Sequence, residues 1–149
     1  MKTAPRLATA VLLLTLFLLS GRAAEAGTVT SCAGISAPGT NEVLLFTDWG
    51  YGGTCYRLIP SGSETWYISS VSSLGIPNDW ISSFWKDCHN HTTMFQHGNF
   101  NRDSRGMVLQ GMVLQMDWQW LYSPVLAEHG FNDKLSSMII YANKYPGCP

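Results

Sequence analysis

Two six-residue segments of this 149-residue chain carry the same set of oxygen-bearing side chains. Asn78-Asp79-Trp80-Ile81-Ser82-Ser83 recurs 54 residues later as Asn132-Asp133-Lys134-Leu135-Ser136-Ser137. Each copy supplies an amide oxygen (Asn78, Asn132), a carboxylate (Asp79, Asp133) and paired hydroxyls that begin at Ser82 and Ser136. These are hard donors, and calcium takes roughly six to eight oxygen ligands of this kind. A single copy reads equally well as a turn, because Asn and Asp side chains bond nearby backbone and Ser-Ser can open a strand. Two copies at matched positions favour the metal. The expected ligands are Asn78, Asp79, Ser82, Asn132, Asp133 and Ser136, and the expected ion is calcium.

The elements that must position these residues also come in pairs. A tryptophan, Trp66 or Trp120, precedes each motif by 12 residues. Further upstream, Phe46 is followed five positions on by Tyr51, and Phe95 five positions on by Phe100. Phe46 to Asn78 is 32 positions and Phe95 to Asn132 is 37. The difference has a visible cause. Gly106-Met107-Val108-Leu109-Gln110 is followed directly by an identical Gly111-Met112-Val113-Leu114-Gln115, and removing one copy equalises the repeats. Between the motifs the chain reads as strands. Val43 to Phe46, Cys55 to Ile59, Trp80 to Trp85 and Leu135 to Tyr141 mix apolar, aromatic and β-branched residues, and Gly50, Gly52 and Gly53 punctuate a turn. No stretch holds a helical period. Short strands at this turn density predict an all-β sandwich or barrel.

The first residues read as a leader rather than as fold. Lys2 and Arg6 precede an apolar run from Ala10 to Leu19, and Ala24-Glu25-Ala26 offers a small-x-small cleavage site. That order is the secretory pattern, and the run is too short for a bilayer span. Cleavage after Ala26 leaves Gly27 to Pro149, 123 residues with six basic and nine acidic side chains. A small net negative charge without a basic stripe argues against nucleic acid. No later segment approaches a membrane span. Cys32, Cys55, Cys88 and Cys148 all follow the leader, and an even count in a secreted chain implies two disulfides, with three pairings open. Cys88-His89-x-His91 could be read as zinc ligands but lacks a spaced second pair.

Phe46-x-x-x-x-Tyr51-x-Gly53 resembles the folded hairpin of a βγ-crystallin Greek key, and the Asn-Asp-x-x-Ser-Ser segments resemble that family's calcium motif. The resemblance implies an all-β, eight-stranded, double-sheet domain built from two Greek keys and stabilised here by disulfides. It sets the domain at 43–141, with repeat one at about 43–88 and repeat two at about 92–141. A 27–42 extension precedes it after a 1–26 signal peptide, and a 142–149 tail follows. It also implies two composite calcium sites, Asp79 working with Ser136 and Asp133 with Ser82. Backbone carbonyls near Trp80, Lys134 and the two hairpins would complete the shells.

The second hairpin departs from the pattern. Arg102 stands where the first has Gly53, and His97 where it has Asp48. Asn99 and Asn101 can absorb left-handed backbone angles, and the site this hairpin lines is expected to be the weaker or altered one. Asn90-His91-Thr92 fits the glycosylation acceptor pattern. The tryptophans read as core and hairpin aromatics. No nucleophile elbow, zinc-protease helix or phosphate loop is present, so the chain reads as non-enzymatic. The expected function is a secreted, monomeric calcium-binding protein. The alternative on the same fold is a secreted protease inhibitor or an antimicrobial, killer-toxin-like protein. Its target would be an extracellular protein such as a protease, met through the Ser- and Gly-rich 60–75 region or through the duplicated 106–115 segment.

Overall fold

A computed structural model describes residues 27–62, 64–119 and 121–148. The leader and Trp120 lie outside the described residues. The order of strands is β1 (Gly27–Ser31), β2 (Val43–Phe46), β3 (Cys55–Pro60), β4 (Thr65–Ile68), β5 (Ser83–Lys86), β6 (His91–Phe95), β7 (Val113–Met116), β8 (Tyr122–Ser123) and β9 (Ser137–Tyr141). They form two antiparallel sheets, ordered β1-β3-β2-β5-β8 and β4-β9-β6-β7.

The two repeats are visible in that order. β2, β3, β4 and β5 of the first correspond to β6, β7, β8 and β9 of the second. Each repeat gives three strands to its own sheet and sends its third across to the other: β4 pairs with β9, and β8 with β5. This is the double Greek key that the motifs implied. A ninth strand is added to the implied eight: β1, from the segment before repeat one, lies along β3 from Gly27↔Pro60 to Ser31↔Tyr56.

The core lies between the sheets. Val43, Leu45, Leu58 and Phe84 of the first sheet meet Met94, Met116, Met138 and Ile140 of the second, all fully buried. β2 is buried on both faces because a hairpin folds over its outer side. Chain turning at Trp49–Tyr51 lays Tyr51 edge-on against Phe46, ring centroids 5.5 Å apart, and Phe100 lies against Phe95 at 5.6 Å. The spacing of five between the aromatics is the length of chain needed to make that fold. The strand expected over Trp80 to Trp85 begins only at Ser83, after a turn at Asn78-Asp79 and three residues that lie outside any strand. Trp66 is a core residue and Trp49 an exposed hairpin residue, but Trp80 and Trp118 are exposed outside both, which corrects the reading of the tryptophans as core and hairpin aromatics for those two.

The disulfides pair Cys32 with Cys55 and Cys88 with Cys148. The first ties the end of β1 to the start of β3. The second fastens the C-terminal tail beside the end of β5. Among the described residues no helix is long and apolar enough to cross a membrane.

Candidate metal centre

The two motifs occupy equivalent places in the repeats and reach across to one another. Asp79 and Asp133 both adopt left-handed backbone, φ 58° and 50°, at the turn before the strand. The Asp79 amide donates to the Leu135 carbonyl and the Asp133 amide to the Ile81 carbonyl, each at 3.1 Å. This exchange sets the carboxylate of one repeat beside the serine of the other. Ser82 Oγ donates to Asp133 Oδ1 at 3.0 Å, and Ser136 Oγ lies 3.1 Å from Asp79 Oδ1. The asparagines hold the far carboxylate oxygen: Asn78 Nδ2 donates to Asp79 Oδ2 at 2.7 Å and Asn132 Nδ2 to Asp133 Oδ2 at 2.6 Å. All six motif residues therefore fall into two clusters, each drawing on both repeats.

The second serine of each motif fastens a hairpin. Ser83 Oγ donates to the Asp48 carbonyl and accepts the Tyr51 amide, and Ser137 Oγ does the same with the His97 carbonyl and the Phe100 amide. The hairpins consequently form the outer walls of two clefts. The first cleft, about 490 Å³ against about 300 Å³ for its counterpart, is lined by Thr47, Asp48, Trp49, Ser82, Asn132 and Asp133. The second is lined by Asn78, Asp79, Gln96, His97, Asp133, Lys134 and Ser136. Trp49 was not anticipated as a site residue. Its indole donates to Asn132 Oδ1 at 3.0 Å, which orients the amide so that its nitrogen faces Asp133. No periodicity or motif marks such a contact between residues 83 apart in sequence.

The hairpins differ as their sequences do. In the first, Gly50, Tyr51 and Gly53 have positive φ. A β-carbon on Gly53 would come within 2.2 Å of Thr47 Oγ1 and 2.7 Å of Asp48 Cγ, so glycine there lets the loop close on the carboxylate. In the second hairpin the left-handed residues are Asn99, Phe100 and Asn101, while Arg102 is extended at φ −123°. The left-handed angle falls one position earlier in the chain, on Asn101, which relieves Arg102 of the strain its alignment with Gly53 suggested. Asn101 Oδ1 then accepts the His97 amide at 2.8 Å. The chain runs on into an arm in which Leu109 N donates to Asn101 O and Arg102 bridges Val108. The first copy of the duplicated pentapeptide forms this exposed arm, and the second copy supplies β7.

As a donor set, the first cleft fits calcium. Asp48 and Asp133 bring two carboxylates, Ser82 and Thr47 bring hydroxyls, and the motif's turn brings carbonyls, all oxygen. The second cleft has Asp79 and Ser136 with the Gln96 carbonyl, which accepts from Ser136 Oγ at 2.7 Å. His97 and Lys134 line the same cleft, and the Lys134 ammonium donates to the Gly130 carbonyl at 2.6 Å.

Two further expectations are settled by side-chain placement. Asn90 is completely buried; its amide donates to the Glu42 carbonyl at 3.2 Å and its oxygen accepts from Thr92 Oγ1 at 2.8 Å. A folded chain has no room for a glycan there, so Asn90 is corrected from an acceptor to an internal strut. Cys88, His89 and Cys148 do converge, with donor atoms within 4.8 Å of one another, but the disulfide occupies both sulfurs. Beside it, Lys86 is almost wholly buried and donates to the Asp87 and Asn90 carbonyls. Burial, partly offset by Asp87 and Asp117, lowers its pKa to about 8.

Solved structures share this fold. One described as "Evolution of the eye lens beta-gamma-crystallin domain fold" matches with a TM-score of 0.60 at 21% identity, over 77% of this chain and 98% of that one. Spherulin 3A from Physarum polycephalum matches with a TM-score of 0.50 at 21% identity, over 77% of this chain and 95% of the other. The chain has the βγ-crystallin fold. No protein-family model and no curated protein matches its sequence.

Proposed function

We propose that this is a secreted, non-enzymatic calcium-binding protein, in which the ion stabilises the paired Greek keys and binds most strongly in the first cleft. The observation that carries this reading is the cross-repeat contact made twice, Ser82 with Asp133 and Ser136 with Asp79. A turn that only reversed the chain would satisfy its aspartate locally. Here each carboxylate lies at the seam between repeats, in a polar cleft, where a cation adds a bond that the fold alone does not supply. Secretion is supported by the leader and by two disulfides, which persist in oxidising compartments. For the inhibitor reading, the 60–75 region is an unpromising loop: Trp66, Ile68 and Val71 are core residues. The exposed arm of the duplication is its better candidate.

Calorimetric titration of calcium into the disulfide-intact mature protein tests the function. With two carboxylates at most per cleft, the dissociation constant is expected at about 10⁻⁵ to 10⁻³ M, as in extracellular modules. An absence of heat and of any melting shift at millimolar calcium would remove the reading.

A further inference from the structure

The second cleft departs from a calcium set in one direction, toward nitrogen. We propose that it is a mixed imidazole–carboxylate site for a borderline divalent ion such as zinc, with His97 and Asp79 as its protein ligands. The inference rests on the reading that the paired clefts are ion sites, and it assigns a different metal class to one of them.

Where Asp48 stands in the first hairpin, His97 stands in the second, lining the same cleft as Asp79 and Ser136. Replacing a carboxylate by an imidazole removes charge that a hard ion needs, and a lysine, Lys134, is among the residues that line the cleft. The same change adds a ligand that zinc and its neighbours prefer, since imidazole suits these ions and carbonyl-carboxylate sets suit calcium. Zinc accepts histidine nitrogen and aspartate oxygen in one shell.

The imidazole is also held as a metal ligand is held. His97 Nε2 lies 3.1 Å from the Gln110 carbonyl. A carbonyl only accepts, so Nε2 carries a proton, and in the neutral ring the lone pair is then on Nδ1. Histidines that bind metals usually donate their other N–H to a backbone carbonyl or carboxylate in this way, which fixes tautomer and ring orientation. The carbonyl belongs to the last residue of the first pentapeptide copy, so the duplication supplies the anchor. The next residue, Gly111, lets it approach: a β-carbon there would stand 2.6 Å from His97 Cδ2. The histidine, its anchor and the glycine beside it are all features in which this repeat differs from the first.

The test is calorimetric titration of zinc chloride into calcium-free, disulfide-intact protein, with both thiol pairs oxidised so that Cys88 and Cys148 offer no thiolate. One equivalent should bind in the wild type and in His89→Ala. Binding should be lost in His97→Ala and in Asp79→Asn, and weakened about tenfold in Gly111→Ala, the lower end of what disturbing an outer shell does. His97→Asp should lose zinc and gain a second calcium equivalent. In the wild type, zinc should move the His97 ring-nitrogen resonance at Nδ1, a readout that requires no variant to fold. The first cleft is read separately: Asp48→Asn should lose calcium there and keep zinc, so a failure of the calcium reading leaves the zinc result intact. Absence of zinc binding in the wild type, or zinc binding that survives His97→Ala and disappears in His89→Ala, would overturn the proposal.

Discussion

At the residue scale the seam between repeats rests on a few side chains whose effects separate. If Ser82 and Asp133 serve one ion, Ser82→Ala should shrink the calcium-dependent rise in melting temperature while Asp79→Ala leaves the first cleft's share in place. Stabilisation by a bound ion follows RT ln(1 + [L]/Kd), so a weakened cleft must lose part of that increment. The double change Ser82→Ala with Asp133→Ala should fall short of the sum of the two by more than about 0.5 kcal/mol, the scatter seen for independent sites. Equal loss from Ser82→Ala with and without calcium would reduce the serine to a turn hydrogen bond. Lys86 gives a prediction of the opposite kind, against a proton. Its pKa is lowered to about 8 in the fold, so the unfolded chain holds this proton more tightly. Below pH 8 both states are charged and the burial penalty is present in full. Between about 8 and 10.5 the folded state sheds the proton first, and this group's contribution to stability rises with pH by up to about 1.4 kcal/mol per unit. Lys86→Met should lack that rise, which denaturant melts of both proteins from pH 7.5 to 10 would reveal as diverging slopes. Nothing in the sequence marked Lys86 as buried, because a lysine among aromatic strand residues usually faces solvent.

At the scale of elements, the hairpins divide what sequence spacing can and cannot tell. The pairs Phe46–Tyr51 and Phe95–Phe100 were legible because ring packing demands a fixed length of chain. The backbone route was not. Alignment sets Arg102 on Gly53, yet Gly53 has φ 71° and Arg102 is extended, the left-handed angle having passed to Asn101. Opposite consequences follow for two substitutions that look alike in an alignment. Gly53→Ala places a β-carbon against Thr47 and Asp48 and should destabilise by more than about 1 kcal/mol, weakening calcium in the first cleft as well. Arg102→Gly, which would seem to restore the motif, should instead destabilise by about 0.5–1 kcal/mol through added freedom in the unfolded chain. Thermal melts of the two variants with and without calcium decide both. The motif's boundary was blurred for a related reason. Trp80, Ile81 and Ser82 have strand-like composition but lie outside β5, between the Asn78-Asp79 turn and Ser83, where the exchange of amides with the other repeat holds them, a tertiary contact no local pattern records.

Across the whole molecule, the repeat and the disulfide count were readable from spacing and composition, and the double-sheet class from the resemblance that the motifs carry. The pairing of cysteines was not, because it depends on β1 joining β3 and on the tail returning to β5. Both bridges should matter, and unequally. Cys88–Cys148 closes 60 positions of chain and Cys32–Cys55 closes 23, so loop entropy assigns about 4 and about 3 kcal/mol respectively. Paired serine substitutions, compared by denaturant unfolding, should show the larger loss at 88 and 148; the reverse order would mean that β1 contributes more than its edge position suggests. The exchange of strands has a consequence in time. Among the described residues β4 pairs only with β9, Thr65 opposite Tyr141, so the first repeat cannot finish its Greek key when it leaves the ribosome. Seventy-six residues separate those partners. At about 5–20 residues per second, the partner strand is made some 4–15 s after Thr65. Through that interval Trp66 and Ile68 have no sheet to enter, and the nascent chain presents an apolar strand with an open edge, the form of surface that chaperones bind and that aggregation begins from.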